Sequence, residues 1–289
     1  MNKKSTISII KELGITPHKN LGQNFLINSS IIKKIISSSS ISKNDIILEI
    51  GPGLGALTYE LVKQAKQVYA VEIDDKLYHY LIKEFSNFGN IEIISGDILK
   101  IDIPEHNKVI SNIPYKITGP ILEKIFLKSN PPQGILSIEK AIADRIFFKG
   151  NYKSFSKITV SVNSFMKPVK RDTISRDSFY PAPKIDLSLI SMLPRKNINE
   201  YLLNDKNRDF YLKFLGGIMP YKNKSIVNAL QLFIRNSKTF KVDKQNLINI
   251  LEQNNIENKK VFSLSIDEFI HLSRLIQNNL RKKKISEKD

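Results

Sequence analysis

The residues best suited to chemistry lie where short apolar runs of the chain end. Ile50 ends one such run and is followed by Gly51–Ala56, a glycine-rich turn that leads into a helical pattern. Because glycine has no side chain, backbone N–H groups in such a turn can approach a ligand closely. Glu72 ends the next run, about 20 residues on, where a carboxylate could bind a ribose diol. A dinucleotide, another nucleoside-containing ligand and a plain tight turn without a ligand all remain open at this point.

Further polar residues follow the neighbouring apolar runs. Glu49 precedes the glycine-rich turn, Asp97 follows the third run, and Asn112–Tyr115, with the sequence NIPY, follow the fourth. If these runs are parallel strands, their carboxyl ends lie at one edge of a sheet, where open α/β sheets bind ligands. The sequence therefore predicts one site at that edge, built from separate segments of the chain.

Hydrophobic periodicity predicts the elements that position these residues. Between Asp45 and Glu139, short apolar runs alternate with amphipathic stretches, which is typical of a doubly wound, mostly parallel α/β sheet. Ala56–Ala65 and Asp74–Phe85 are the predicted helices of this part, and their apolar faces are interpreted as core. The predicted strands are Ile46–Ile50, Gln67–Ile73, Ile91–Ile94, Lys108–Ser111 and Gly134–Ile138.

The pattern changes after Gly150. Lys157–Met166 and Lys184–Met192 predict two further strands that form an antiparallel pair at one edge of the sheet. We therefore expect an α/β domain at residues 1–194, a small all-helical domain at 195–280, and a basic, disordered tail at 281–289. The predicted helices of the second domain are Tyr201–Leu215, Lys224–Arg235, Lys244–Gln253 and Ser265–Leu280.

Composition excludes several classes of site. The chain has no cysteine, so it has no disulfide, zinc-thiolate site, thiol nucleophile or iron–sulfur cluster. Its histidines, which are His18, His79, His106 and His271, are scattered and predict no metal site. No apolar segment is long enough for a signal-peptide core or a membrane span, so a soluble, cytoplasmic protein is expected.

The charge of the chain favours a polyanionic partner. Lys and Arg number 45 against 28 Asp and Glu, which gives a net charge of +17. Clustered basic side chains neutralise phosphates and release counterions, so the chain is a candidate for binding a polyanion. A general bias toward lysine in the composition is the alternative explanation of this charge.

Taken together, the motifs at the predicted sheet edge resemble those of the AdoMet-dependent amino methyltransferases, and among them the rRNA adenine N6-dimethyltransferases. The resemblance is greatest to the KsgA type, which methylates small-subunit rRNA. Four other segments extend it over nearly the whole chain: residues 18–26 (HKNLGQNFL), 137–146 (SIEKAIADRI), 179–186 (FYPAPKID) and 265–269 (SIDEF).

The resemblance implies a Rossmann-like methyltransferase fold, S-adenosyl-L-methionine (AdoMet) as cofactor, and defined roles for individual residues. Asn112 would polarise the adenine amine, Pro114 would stiffen its turn, and Tyr115 and Phe179 would stack on the extruded base. No metal takes part. The residues implied in cofactor binding are Asn24, Leu26, Gly51, Glu72, Asp97 and Asn112.

This sequence departs from the family pattern at several positions. Ser111 stands where glycine usually precedes NIPY, Lys116 where asparagine is common, and Leu187 where serine is usual. Tyr221–Lys224 replace an arginine-rich helix start. If that helix grips rRNA, its lysines must act as point charges, because lysine lacks the two-pronged guanidinium of arginine.

The resemblance implies dimethylation of two adjacent adenines in a small-subunit rRNA hairpin, within an assembling small ribosomal subunit. No heptad stripe in the sequence indicates an obligate dimer, so a monomer is expected. Three alternatives remain. One is a large-subunit rRNA dimethyltransferase of the antibiotic-resistance type, against which the helical region after Arg195 argues. The second is an assembly factor for which methylation is secondary. The third is a nicotinamide-dependent dehydrogenase, against which Pro52 and the NIPY sequence argue.

Overall fold

The computed structural model describes residues 2–17, 22–150, 155–236 and 243–286. Within them the chain forms two compact units, Met1–Phe147 with Met166–Pro194, and Phe148–Phe165 with Arg195–Asp289. The strands of the first unit are β1 (Phe25–Leu26), β2 (Ile46–Ile50), β3 (Gln67–Glu72), β4 (Ile91–Ser95), β5 (Lys108–Asn112), β6 (Gln133–Glu139), β7 (Met166–Ile174), β8 (Phe179–Tyr180) and β9 (Leu187–Pro194). Its helices are α1 (Lys3–Glu12), α2 (Ser29–Ser39), α3 (Thr58–Val62), α4 (Asp75–Glu84), α5 (Thr118–Phe126) and α6 (Lys140–Ile146).

Seven of these strands form one sheet in the order β4-β3-β2-β5-β6-β9-β7. The strands from β2 to β6 run parallel, and β9 and β7 add an antiparallel edge, which confirms the predicted fold class. The order of the chain reverses between β2 and β5, so the carboxyl ends of these two strands flank a crevice suited to ligands. Strands β1 and β8 form a separate antiparallel pair in which Leu26 lies opposite Phe179.

Burial on both faces explains why the parallel strands read as continuous apolar runs. Ile47 and Leu48, adjacent on β2, point to opposite faces of the sheet, and both are fully buried. The helices of the first unit cover these faces with an apolar core that includes Ile35 of α2, Leu61 of α3 and Leu81 of α4. The sheet is thereby held as a rigid support for the loops at its two ends.

The amino end of β2 carries a closed polar cluster. Lys108 Nζ lies 2.9 Å from Asp45 Oδ2 and also donates to the backbone oxygens of Ser39 and Ser40. Asn107 donates to the other carboxylate oxygen of Asp45 at 2.7 Å. Burial alone would raise the pKa of Asp45, but hydrogen bonds from Ser42, Lys108 and Asn107 outweigh it and lower the pKa to about 2. This carboxylate is therefore ionised and fully paired.

The strand predicted at Lys157–Met166 is wrong, because Lys157–Phe165 form helix α7 of the second unit. The sequence KITVSVNSFM alternates apolar and small polar residues, which mimics a half-buried strand. In the helix, the small polar side chains are buried as well, and Ser164 donates to the backbone oxygen of Val160 at 2.8 Å. Tertiary packing on several sides of the helix thus overrides the local β propensity.

The strand that pairs with β9 at the sheet edge is instead β7, whose sequence MKPVKRDTI gave no strand pattern. It contains a register shift between Pro168 and Lys170, and Lys167 and Lys170 are exposed. A proline, an irregular register and charged side chains are features that protect an edge strand from pairing with other chains. The same features explain why the sequence pattern did not predict this strand.

The described secondary structure of the second unit is helical apart from one isolated β-bridge between Ser225 and Lys260. A buried hydroxyl pair, Ser164 and Tyr211, lies at its centre with the oxygens 2.8 Å apart. Helix α12 continues to Ser286, where the sequence predicted a disordered tail from residue 281, and residues 287–289 lie outside the described part of the chain. The helices of this unit are α7 (Lys157–Phe165), α8 (Glu200–Leu203), α9 (Asp205–Ile218), α10 (Ile226–Asn236), α11 (Lys244–Gln253) and α12 (Ile266–Ser286).

The described residues contain neither a membrane-spanning helix nor a cluster of metal-ligating side chains. None of the helices there combines the length and apolarity that a membrane span requires. No group of three or more histidine, aspartate or glutamate side chains in the same residues is arranged to hold a metal ion.

Candidate active site

A pocket opens at the carboxyl edge of the sheet, beside the crevice between β2 and β5. All six residues that the sequence assigned to cofactor binding line it, together with Pro114. They come from five separate segments of the first unit, namely the β1 segment, the turns after β2, β4 and β5, and the end of β3. The predicted convergence at this edge is therefore present in the structure.

The glycine-rich turn forms one wall of the pocket, and its conformation requires glycine. Gly51, Gly53 and Gly55 all have positive φ angles, between 60° and 78°. A Cβ atom on Gly55 would lie 2.7 Å from the Phe85 ring, and one on Gly53 would lie 3.0 Å from the Phe25 ring. Side chains at these positions would thus clash with the core on one side and strain the backbone. The turn leaves its backbone open toward the pocket.

Glu72 lies at the end of β3 and binds the turn directly. Its Oε2 accepts a hydrogen bond from Gly53 N–H at 3.1 Å, and its Oε1 accepts from the backbone N–H groups of Ile73 and Asp74 at 3.0 Å. Burial nevertheless dominates and raises the pKa of Glu72 to about 7. The carboxylate thus holds the two neighbouring strand ends together at the pocket wall.

Glu49, the last acidic residue before the turn, is buried in the pocket lining. Its Oε2 has no hydrogen-bond partner among the described residues. Burial raises the pKa of Glu49 to about 8; the nearby Thr58 hydroxyl offsets part of this effect, and the charge of Glu72 adds to it. A buried carboxyl without a positive partner is unusual in a folded protein and marks a candidate functional position.

Asp97 follows β4, on the side of the pocket away from β5. Its Oδ1 accepts from the backbone N–H of Leu99 at 2.9 Å, and Lys100 Nζ lies 3.8 Å from its Oδ2. The side chain is about a quarter exposed, so the carboxylate remains accessible to a ligand.

Asn112 stands at the end of β5, where the pocket meets the NIPY turn. Its Nδ2 donates to the backbone oxygen of Asn24 at 3.2 Å, and its Oδ1 accepts from the Tyr115 hydroxyl at 3.3 Å. The two bonds fix which end of the amide faces which neighbour. Pro114 lies against the glycine-rich turn, since its Cγ is 3.7 Å from the position that a Cβ on Gly51 would occupy.

The segment that contains Asn24 and Leu26 lines the pocket and is anchored near the start of α4, where Gln23 Nε2 donates to Asp74 Oδ2 at 2.9 Å. Earlier in the chain, after α1, the backbone oxygen of Gly14 accepts from Lys76 Nζ of α4 at 2.8 Å. His18, Lys19 and Leu21, which are part of the same sequence motif, lie outside the described residues.

The two aromatic residues assigned to base stacking do not line the pocket. Tyr115 is 7% exposed and Phe179 is 2% exposed, and both belong to the apolar cluster that contains Leu26. Burial raises the pKa of Tyr115 above its ordinary value. Neither ring is therefore available to a base in this conformation.

Sequence reasoning missed some residues of this site. Gln23 had a signal, because it lies inside the N-terminal motif, whereas its partner Asp74 had none. Leu77 was interpreted as core, and it is buried but also lines the pocket.

The two lysines considered for rRNA contact differ in their surroundings. Lys222 of the second unit donates to the backbone oxygen of Phe155 at 2.6 Å, so its side chain is already engaged. Lys224 is exposed.

Comparisons with known proteins place the chain among relatives along nearly its whole length. The model of the ribosomal RNA adenine dimethylase family matches residues 15–273. The ribosomal RNA small subunit methyltransferase A of Borrelia garinii is 36% identical over 279 residues, which cover 94% of this chain and 92% of the relative.

Two solved structures share the fold. A dimethyladenosine transferase from Plasmodium falciparum superposes with a TM-score of 0.71 at 27% identity, covering 88% of this chain and 97% of its own. The 23S rRNA methyltransferase ErmE superposes with a TM-score of 0.61 at 23% identity, covering 88% of this chain and 100% of its own, which is evidence of the fold alone.

Proposed function

This chain belongs to the ribosomal RNA adenine dimethylase family, and from that premise we propose that it dimethylates the N6 atoms of two adjacent adenines in a small-subunit rRNA hairpin. It is an AdoMet-dependent methyltransferase, as the sequence resemblance predicted. The observation that supports the small-subunit assignment most strongly is the match over 94% of the chain to a small subunit methyltransferase. That match spans both units, so it includes the helical region as well as the catalytic one.

The pocket fits AdoMet chemically. The cofactor supplies a methyl group activated on a sulfonium and carries an ammonium group, and the buried, unpaired oxygen of Glu49 is suited to a cationic ligand. We assign Glu72 to the ribose hydroxyls, Asp97 to the adenine amine and Gly51 to the methionine end. Asn24 and Leu26 would close the pocket from the β1 segment.

Asn112 is the proposed polarising residue. The exocyclic amine of adenine is a poor nucleophile, because its lone pair is delocalised into the ring. The Asn112 side-chain oxygen and a backbone oxygen of the NIPY turn would accept its hydrogens and favour a pyramidal nitrogen. The Tyr115 hydroxyl occupies only one of the two lone pairs of Asn112 Oδ1. Pro114 restricts the turn that presents these oxygens.

No general base is required in this proposal. The methylated amine is a strong acid while it carries its extra proton, so it loses that proton readily to water. After the first transfer the nitrogen keeps one hydrogen, and the second transfer then needs only space for the first methyl group.

Tyr115 and Phe179 remain the proposed stacking pair, with one addition from the structure. Because both rings are buried beside Leu26, an incoming base must displace contacts within that apolar cluster. Phe179 pairs with Leu26 across β1 and β8, so entry of the base would also move the segment that lines the cofactor pocket. Base and cofactor binding are expected to be coupled for this reason.

We further propose that the helical unit binds rRNA within an assembling small subunit, in the cytoplasm, and that the enzyme acts as a monomer. The net charge of +17 supports a polyanionic partner. Exposed Lys224, rather than Lys222, is the lysine of the 221–224 segment suited to phosphate contact.

The experiment that tests this proposal uses purified protein, radiolabelled AdoMet and, separately, unmethylated small subunits, unmethylated large subunits and the deproteinised rRNAs. Nucleoside analysis then identifies the product. We expect N6,N6-dimethyladenosine in small-subunit material alone. Label in large-subunit RNA would move the protein to the antibiotic-resistance type, and binding of small subunits without label would identify an assembly factor.

A further inference from the structure

A single hydroxyl joins the two loops that meet at the candidate active site. The ladder between β2 and β5 pairs Ile47 with Lys108 and Leu48 with Val109, and then the strands separate. Two residues further along β2, the Ser111 hydroxyl donates to the Ile50 backbone oxygen at 2.6 Å and accepts from the Ile50 N–H at 3.3 Å. The side chain of Ser111 thus replaces the backbone partners that β5 no longer supplies.

The link lies directly beside the residues that are assigned to the cofactor and to the adenine amine. Ile50 directly precedes Gly51 of the cofactor turn, and Ser111 directly precedes Asn112 of the NIPY turn. The two turns also touch, because Pro114 Cγ lies 3.7 Å from where a Gly51 Cβ would stand. Ser111 therefore fixes the base of both turns at the point where the chain order of the sheet reverses.

We propose that Ser111 is a positioning residue for methyl transfer, which sets the spacing between the cofactor turn and Asn112. This inference rests on the proposed roles of Gly51 and Asn112. Ser111 is 1% exposed and Ile50 is buried, so removal of the hydroxyl would leave two backbone groups without a partner away from solvent. The strand ends would then shift to satisfy them, and small displacements of reacting groups slow a reaction strongly.

Alanine and glycine at position 111 should differ in an informative way. Alanine keeps the Cβ atom and loses only the hydroxyl oxygen, and a water molecule cannot take the place of that oxygen because it would clash with the methyl group, so Ile50 would be left unsatisfied. Glycine would leave room for one water molecule, which could bond to the Ile50 N–H and oxygen in place of the hydroxyl. Loss of packing alone would give the opposite order, because glycine removes more contacts and weakens a strand.

The test compares Ser111→Ala, Ser111→Gly and Ser111→Thr with the wild type, on whichever ribosomal subunit the wild-type enzyme methylates. The expected kcat of Ser111→Ala is about 10-fold below wild type. Its KM for AdoMet should change less than its kcat, because Glu72 and Asp97, which are assigned to other parts of the cofactor, lie on other strands. Ser111→Gly should be less impaired than Ser111→Ala, and Ser111→Thr, which keeps the hydroxyl, should retain most of the activity.

Ser188→Ala is the matched control. Ser188 is a fully buried serine on β9 of the same sheet, and its hydroxyl has no partner among the described residues. Its kcat should equal that of the wild type. The inference is overturned if Ser111→Ala keeps the wild-type kcat. It is also overturned if the loss of kcat among the variants follows their loss of melting temperature, with Ser111→Gly more impaired than Ser111→Ala. Methylation of large subunits by the wild type would contradict the proposed substrate and leave this comparison valid.

Discussion

The two ends of strand β2 hold buried carboxyl groups in opposite states. Asp45, at the amino end, is paired with Lys108 and has its pKa lowered to about 2 by surrounding hydrogen bonds, against the effect of burial. Glu49, at the carboxyl end, has an oxygen without a partner among the described residues, and burial raises its pKa to about 8. The same strand thus carries a satisfied acid and an unsatisfied one.

This difference distinguishes an acid that stabilises the fold from an acid suited to binding a ligand, within one sheet. A buried polar group that serves the fold is normally given its partners by the fold itself. A buried acid without a partner destabilises the protein, and such groups cluster at sites that bind or react. We propose that AdoMet supplies the positive charge that Glu49 lacks, whereas Lys108 of β5 supplies the positive charge beside Asp45.

Among the predicted substitutions, removal of the Lys108 charge should have the largest effect. Lys108→Met leaves Asp45 buried without its cation and removes the bonds to Ser39 and Ser40, which should lower the free energy of unfolding by about 3–5 kcal/mol. Denaturant unfolding would measure this. The kcat of the folded fraction should be unchanged, because the cluster lies at the opposite end of the strand from the candidate active site.

Lys63→Met is the matched control, because Lys63 pairs with Glu60 on the surface, where both side chains are more than a third exposed. Its effect on stability should stay below about 1 kcal/mol. Equal losses for Lys108→Met and Lys63→Met would remove the distinction between a buried structural pair and a surface one.

Asn112→Ala should give the second largest effect, at the other end of the sheet. Loss of the polarising oxygen should lower kcat by about 10²–10³-fold, by analogy with the removal of one oxyanion-hole donor. Binding of small subunits should be kept, and kcat is compared on the folded fraction because the variant also loses the bonds to Asn24 and Tyr115. Asn44→Ala, an exposed asparagine at the amino end, is the control with wild-type activity expected. Full activity of Asn112→Ala would exclude the polarising role.

Glu49→Gln should have a smaller effect on stability, and it should stabilise the protein rather than destabilise it. The pKa of Glu49 is raised in the folded protein, so the folded state binds more protons than the unfolded state between about pH 4.5 and pH 8. Stability without AdoMet should therefore fall as pH rises through this window. Glutamine resembles the protonated acid, so the variant should lose part of that slope and melt a few degrees higher than wild type at pH 8. A steeper slope in the variant would contradict this assignment.

Much of the site could be predicted because it depends on strand ends. The five parallel strands agree with their predicted bounds to within one residue at each end, since each contains a short apolar run, and β2, β5 and β6 are buried on both faces. Asp97 lies just after β4 and Asn112 ends β5, and both were placed at the pocket for the same reason.

Features that depend on tertiary contacts could not be predicted. The alternation in Lys157–Phe165 gave no sign that small polar side chains would be buried in a helix of the second unit. The β1 and β8 strands have two residues each, too few for any periodicity, although their pairing brings Phe179 beside Leu26. The link from Ser111 to Ile50 requires two strands to separate at a given residue, which no local pattern records.

The most direct test of our central claim is calorimetric titration of AdoMet into the protein at pH 6.5, in two buffers with different heats of ionisation. At this pH the raised pKa values, about 8 for Glu49 and about 7 for Glu72, mean that the free protein carries protons on these acids. A cationic ligand favours the ionised form, so binding should release protons to the buffer, and Glu49→Gln should release fewer. A binding heat that is independent of the buffer, and identical for the variant, would contradict the account.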